Sequence, residues 1–289
     1  MVPAAVPVTT RMGLPAVPVL IDGKPAELML DTGAGGTILT AGTAARLGLP
    51  VPTEPVQNVR GIGGTVRTGR VTVGRMQFGT LSVPGLPVAI LGPDDVSPEL
   101  QKNFDGFLGV DVLSRAAIEL DLPGQRVVVH GDGACQPATP PASDGWDALP
   151  SWQSPEYRLG IFVTLMGRSM PALIDTGATS SQISRRGADF LGIGSPPPGM
   201  KPGITRGVGP ATSATWYYRF PELRIGGELI ERPRFRIVEG LPMAAEMVIG
   251  ADFLSRRSVW LSYATGQVFV RQPLEPGPLM QGQARPVPP

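Results

Sequence analysis

Two short stretches place a carboxylate in the same surroundings: Leu30-Asp31-Thr32-Gly33-Ala34 and Ile174-Asp175-Thr176-Gly177-Ala178, with the two aspartates 144 residues apart (175 − 31). A single Asp-Thr-Gly is ordinary turn material, because Asp and Gly both favour the ends of strands. Two copies carry more, since each is entered by an apolar run and followed by a small residue. Carboxyls held within hydrogen-bonding distance cannot both ionise readily, so they share one proton. The charged member can then take a proton from water while the other donates one to the group under attack. Such chemistry requires no metal, cofactor or protein nucleophile.

Composition removes most alternatives. There is one histidine, His130, and one cysteine, Cys135, too few for a zinc site built from several His and Cys ligands or for a two-histidine metalloprotease helix. A Cys-His nucleophilic pair would fall where a strand meets a Pro/Ala/Ser-rich stretch, a poor frame for catalysis. The net charge of +1 and the lack of a basic run argue against nucleic acid or an anionic membrane as partner. Uncharged stretches such as Leu81 to Gly92 are too short and too broken by Pro and Gly to span a bilayer. Met1 to Thr10 has neither the basic nor the apolar region of a signal peptide, which leaves the compartment open: periplasmic or secreted for a trimmed chain, cytoplasmic otherwise. Asp94, Asp95, Glu99 and Asp105 read as a solvated acidic loop rather than a cation site.

The elements that must position the aspartates are themselves written twice. Gly61-Ile62-Gly63-Gly64 returns as Gly207-Val208-Gly209-Pro210, and Leu108-Gly109-Val110-Asp111 as Ile249-Gly250-Ala251-Asp252. In each copy an apolar run, a turn (Asp22-Gly23; Met166-Gly167) and a second run form a hairpin that feeds the Asp-Thr-Gly. A short helix follows, started by Thr40 or Ser184 and stopped by Gly48 or Gly192. The final strands are Arg126 to Val129 and Gln267 to Val270. Abundant Gly (38) and Pro (33) with few aromatics favour an all-β chain with a few short helices. The expected layout is a lobe over 14–130, a linker over 131–156 that has room for a strand, a lobe over 157–272 and a disordered tail over 273–289. Asp111 and Asp252 read as helix N-caps.

On these motifs the chain resembles the retropepsin-like aspartic proteases, most closely bacterial members with two such units in tandem. The likeness covers both lobes but not the linker or tail. It implies two acid-protease lobes about a pseudo-twofold axis, with Asp31 and Asp175 as the catalytic pair of an aspartic endopeptidase. It further implies that Thr32 and Thr176 lock the loops by reciprocal hydrogen bonds and that Gly33 and Gly177, followed by Ala34 and Ala178, allow close backbone approach. Gly61, Ile62, Gly63 and Gly64, with Gly207, Val208, Gly209 and Pro210, become the tips of two flaps closing over a peptide or protein substrate, the second stiffened by Pro210. Trp216, Tyr217 and Tyr218 alternate along the strand beyond the second tip, and one of their faces is a candidate cleft wall. No metal or cofactor is implied. Because each lobe already has its complement, a monomer is expected. The competing reading is a peptide-binding or scaffolding module without turnover; retention of both Asp and both Thr favours the enzyme.

Overall fold

The structure is a computed structural model that describes residues 3–131, 136–141, 145–194, 196, 202–239, 241 and 245–271. Cys135 and the expected tail lie outside the described residues. Each half is built on an antiparallel hairpin: Leu14–Ile21 pairs with Lys24–Leu30, and Leu159–Leu165 with Arg168–Ile174. Both residues of each two-residue turn have positive φ, 50° and 77° at Asp22-Gly23 and 52° and 75° at Met166-Gly167. That geometry matches the right-handed twist of the flanking strands.

The second strand of each hairpin ends at the aspartate and is held from the side. Lys24–Leu30 runs parallel to Gly106–Leu108, and Arg168–Ile174 runs parallel to Met247–Ile249. These short apolar strands also pair, antiparallel, with Ile38–Thr40 and Gln182–Ser184. Leu28, Leu30, Leu39 and Leu108 are wholly buried, as are Ala172, Ile183 and Ile249, so the aspartate loops stand on a rigid apolar base. The glycine after each short strand permits this closeness. A Cβ on Gly109 would lie 2.5 Å from the backbone of Gly36, and one on Gly250 would lie 2.7 Å from that of Ser180.

Thr40 caps the helix Ala41–Leu47 and Ser184 caps Arg185–Phe190, each side chain accepting from the N–H three residues on. Gly48 closes the first helix in the left-handed region, whereas the second ends on Leu191 with Gly192 one residue later. The N-cap reading of Asp111 and Asp252 is corrected. The helices Val110–Leu113 and Ala251–Leu254 are capped by Gly109 and Gly250, which places the carboxylates one residue inside the first helical position. From there Asp111 accepts from the Thr37 N–H (2.9 Å) and hydroxyl (2.7 Å), and Asp252 from the Ser181 N–H (2.9 Å) and hydroxyl (2.7 Å). These aspartates pin the far end of each catalytic-type loop.

A six-stranded sheet joins the halves. Ala117–Asp121 of one half pairs antiparallel with Ser258–Ser262 of the other, with Ile118 opposite Leu261. Arg126–His130 and Gln267–Arg271 flank them, and the edges are Ala4–Pro7 and Trp146–Leu149. Two strands, Trp146–Leu149 and Ser151–Gln153, therefore occupy the segment read as a linker, in the places that Ala4–Pro7 and Thr9–Arg11 take in the first half. The halves differ around the flaps. Gly64–Phe78 is one long strand, but its counterpart breaks into Ser213–Arg219 and Glu222–Ile225 at Pro221, since proline cannot donate to the ladder.

Candidate active site

The two Asp-Thr-Gly loops meet. The Thr32 N–H donates to Thr176 Oγ1 and the Thr176 N–H to Thr32 Oγ1, both at 3.1 Å. Each hydroxyl donates in turn across the axis, Thr32 to the Ile174 carbonyl (2.8 Å) and Thr176 to the Leu30 carbonyl (2.6 Å). All four bonds are buried, where an unpaired partner would cost about 1–3 kcal/mol, so the lobes are locked in one register. Gly33 and Gly177 lie against the opposing carboxylates: a Cβ on Gly33 would stand 2.5 Å from Asp175 Cγ, and one on Gly177 would stand 2.6 Å from Asp31 Cγ.

Each carboxylate is held by its own loop. Asp31 Oδ1 accepts from the N–H groups of Gly33 and Ala34, both at 3.0 Å, and Asp175 Oδ1 accepts from Gly177 at 2.9 Å. Burial raises the pKa of both. Asp175 is pushed well above the ordinary carboxylate range by burial and then by the charge of Asp31. Asp31 is raised by burial but drawn back by the Gly33 and Ala34 N–H groups, by a hydrogen bond with Asp175 and by the positive charge of Arg158. The pair therefore holds one proton into the range where isolated carboxyls have lost theirs.

A raised folded-state pKa makes the native state bind more protons than the unfolded chain, so this pair costs stability as pH rises above the unfolded value. Asp175→Asn removes that cost. The variant is expected to melt higher than wild type at pH 7, with the gap narrowing as pH falls towards about 4 and absent below it, where the unfolded carboxyl is protonated too. Thermal melts across this range check it, and a variant less stable than wild type at pH 7 would refute the burial argument.

Above the pair lies a cleft of about 370 Å³, lined from both halves. Gly61, Ile62, Gly207 and Val208 form part of its roof. Gln57–Gly61 and Gly64–Phe78 make a regular hairpin with Ile62-Gly63 at its tip, whereas 206–212 is a longer loop between the paired strands Gly203–Thr205 and Ser213–Arg219. The tips bond to one another: the Gly63 N–H donates to the Val208 carbonyl (2.9 Å) and the Ala211 N–H to the Gly63 carbonyl (3.0 Å). The second loop is also tied to the first half, through the Gly209 N–H to the Asp95 carbonyl (2.9 Å) and a bridge between Val208 and Val96. Pro210, next to Gly209, supplies no N–H to these bonds.

Trp216, Tyr217 and Tyr218 do alternate, but neither face lines the cleft. Trp216 is buried and Tyr218 packs against the same core, while Tyr217 is exposed on the opposite face. The strand reaches the cleft through its neighbours: Arg236, which lines the cleft, donates to the Tyr217 hydroxyl, and Thr205, also in the lining, pairs with Ser213. The acidic loop divides: Asp95 accepts from the Gly92 N–H, Asp105 binds the Glu27 N–H, Thr43 and Arg46, and Glu99 lines the cleft. Among the described residues no cluster of three or more His, Cys, Asp or Glu could hold a metal ion. Four residues carried no obvious signal in the motifs: Gln182, Thr205 and Arg236, which line the cleft, and Arg158, whose charge acts on Asp31. Their positions could have been found only by aligning the repeats residue by residue beyond the Asp-Thr-Gly.

Fold and site together define a two-lobed chain whose halves each contribute one aspartate and one glycine-bearing tip to a shared cleft. Residues 17–112 match the family model described as aspartyl protease, and residues 161–256 match the gag-polyprotein aspartyl protease model. The chain belongs to the retropepsin-like aspartic protease family and carries two such domains in tandem. No curated protein matches the chain.

Proposed function

We propose that the protein is an aspartic endopeptidase in which a water molecule, activated between Asp31 and Asp175, attacks a peptide bond laid across the cleft. The observation that carries this reading is the pair of glycines packed beneath the opposing carboxylates, locked by the crossed Thr32 and Thr176 bonds. Such a frame has one evident use, to hold two buried carboxyls facing each other. The charged member of the pair takes the proton from water, and the other holds the shared proton and donates it to the carbonyl oxygen or leaving nitrogen. The proposed catalytic species is a monomer, and the proposed lobes are 14–130 and 157–272 with their flanking strands. Closure of the two tips over the substrate excludes water from the reacting bond.

The residue after each Asp-Thr-Gly is Ala34 or Ala178, so no hydroxyl donor stabilises either charge there. Activity is therefore expected to peak in mild acid, roughly pH 4.5 to 6.5, with a bell-shaped profile that belongs to the pair. Arg158→Gln removes the cation that lowers Asp31, so the acidic limb should move upward in pH. The measurement is kcat/KM against pH for both proteins on one peptide that wild type cleaves. A wild-type maximum below about pH 3 would show that the backbone donors outweigh burial.

A further inference from the structure

The two halves of the cleft, matched through the internal repeat, differ in chemistry. Ile38 and Gln182 are each the seventh residue after their aspartate and open the strand that ends in a helix cap. In parallel register, Ile38 sits beside Ala89 and Gln182 beside Arg236. Val59 and Thr205 each stand two residues before the first flap glycine. An apolar trio in the first half is thus replaced by Gln182, Thr205 and Arg236 in the second. Both halves keep an arginine at the flap base, Arg60 and Arg206, which lends positive potential without distinguishing them.

Arg236 is fixed but not neutralised. Its Nη1–H donates to Thr205 Oγ1 (3.2 Å) and its Nη2–H to the Tyr217 hydroxyl (2.9 Å), both uncharged acceptors. Among the described residues no carboxylate forms an ion pair with it, and none supplies an acceptor for its buried Nε–H. Gln182, only 8% exposed, likewise keeps a buried Oε1 to which no described residue donates. All three residues line the cleft. A half-buried guanidinium without a counter-charge is costly, and a ligand carboxylate relieves that cost with charge-assisted bonds. The first half offers the opposite: Leu14, Met29, Ile38 and Phe107 give an apolar floor, and Glu99 lines that side.

We propose, resting on the peptidase reading, that the second half of the cleft is a subsite for an acidic side chain, bound by Arg236 with Gln182 accepting a substrate N–H. The mirror subsite takes an apolar side chain. A substrate is then read in one direction, although the frame that cuts it is nearly symmetric.

The test is digestion of a randomised decapeptide pool at about pH 6, where Asp and Glu side chains are charged, with cleavage sites read by mass spectrometry. In parallel, the same pool is captured on immobilised Asp31→Asn protein, which reads binding without turnover. Enrichment of Asp and Glu by about tenfold at one position on one side of the cut bond, and apolar residues at the mirrored position, is expected. Arg236→Ala should abolish the acidic enrichment while cleavage continues, Arg236→Lys should keep part of it, and Arg236→Glu should turn it towards Lys and Arg. Cleavage without acidic enrichment, or enrichment unchanged in Arg236→Ala, overturns the subsite and leaves the peptidase standing. Arg236-dependent capture of acidic peptides without cleavage by wild type supports the subsite and overturns the peptidase; neither capture nor cleavage overturns both.

Discussion

Asp31→Asn and Asp175→Asn are each expected to lower kcat/KM by about 10²–10⁴-fold or more, because each removes one of two acid–base roles that the partner cannot fill alone. Either variant leaves a single carboxyl beside a carboxamide, which cannot both take a proton from water and hand one to the substrate. Neither change should disturb the frame, since the crossed Thr32 and Thr176 bonds use backbone groups and hydroxyls that both variants retain. Cooperative melting and unaltered circular dichroism, alongside kcat/KM on a peptide cut by wild type, check the expectation. Wild-type turnover in either variant would remove that aspartate from the mechanism.

Gly33→Ala tests the positioning instead of the acid–base groups. Its added methyl would lie 2.5 Å from Asp175 Cγ and 2.6 Å from Oδ1, so the carboxylate or the loop must move. A shift of that kind in a reacting group costs about 10²-fold in rate, and the loss should fall mainly on kcat because the subsites are untouched. Gly177→Ala should behave alike through Asp31, where the corresponding distance is 2.6 Å. Gly35→Ala is the internal control, as its added Cβ meets nothing within 4 Å. Equal kcat in Gly33→Ala and Gly35→Ala would mean that Asp175 need not sit where the structure has it.

Much of this frame was legible because its parts are local and repeated. Asp22-Gly23 names its own turn, Thr40 and Ser184 name their helix starts, and Gly109 and Gly250 mark a close crossing of chain segments. The second tip was legible as a glycine motif but not in shape, since its longer loop is tied to Asp95 and Val96 of the other half. Asp111 and Asp252 were placed beside their helices, yet their partners are Thr37 and Ser181, some seventy residues earlier, and no local rule reaches that far. Trp216 and Tyr218 obeyed strand alternation, but which side of a strand faces a cleft is set by the neighbouring sheet. Arg236 lies in a strand of alternating charge and apolarity, and only its register against Gln182 brings it to the site.

The central claim is that one chain supplies both carboxyls of one site, and complementation tests it most directly. Wild type, Asp31→Asn, Asp175→Asn and an equimolar mixture of the two variants, unfolded and refolded together, are each given the same peptide pool at about pH 5.5. The account predicts cleavage by wild type alone, because every refolded variant chain carries one aspartate and one asparagine in its own pair. Restored cleavage in the mixture would show that aspartates of two different chains meet in the working site, and an absence of cleavage by wild type would contradict the peptidase itself.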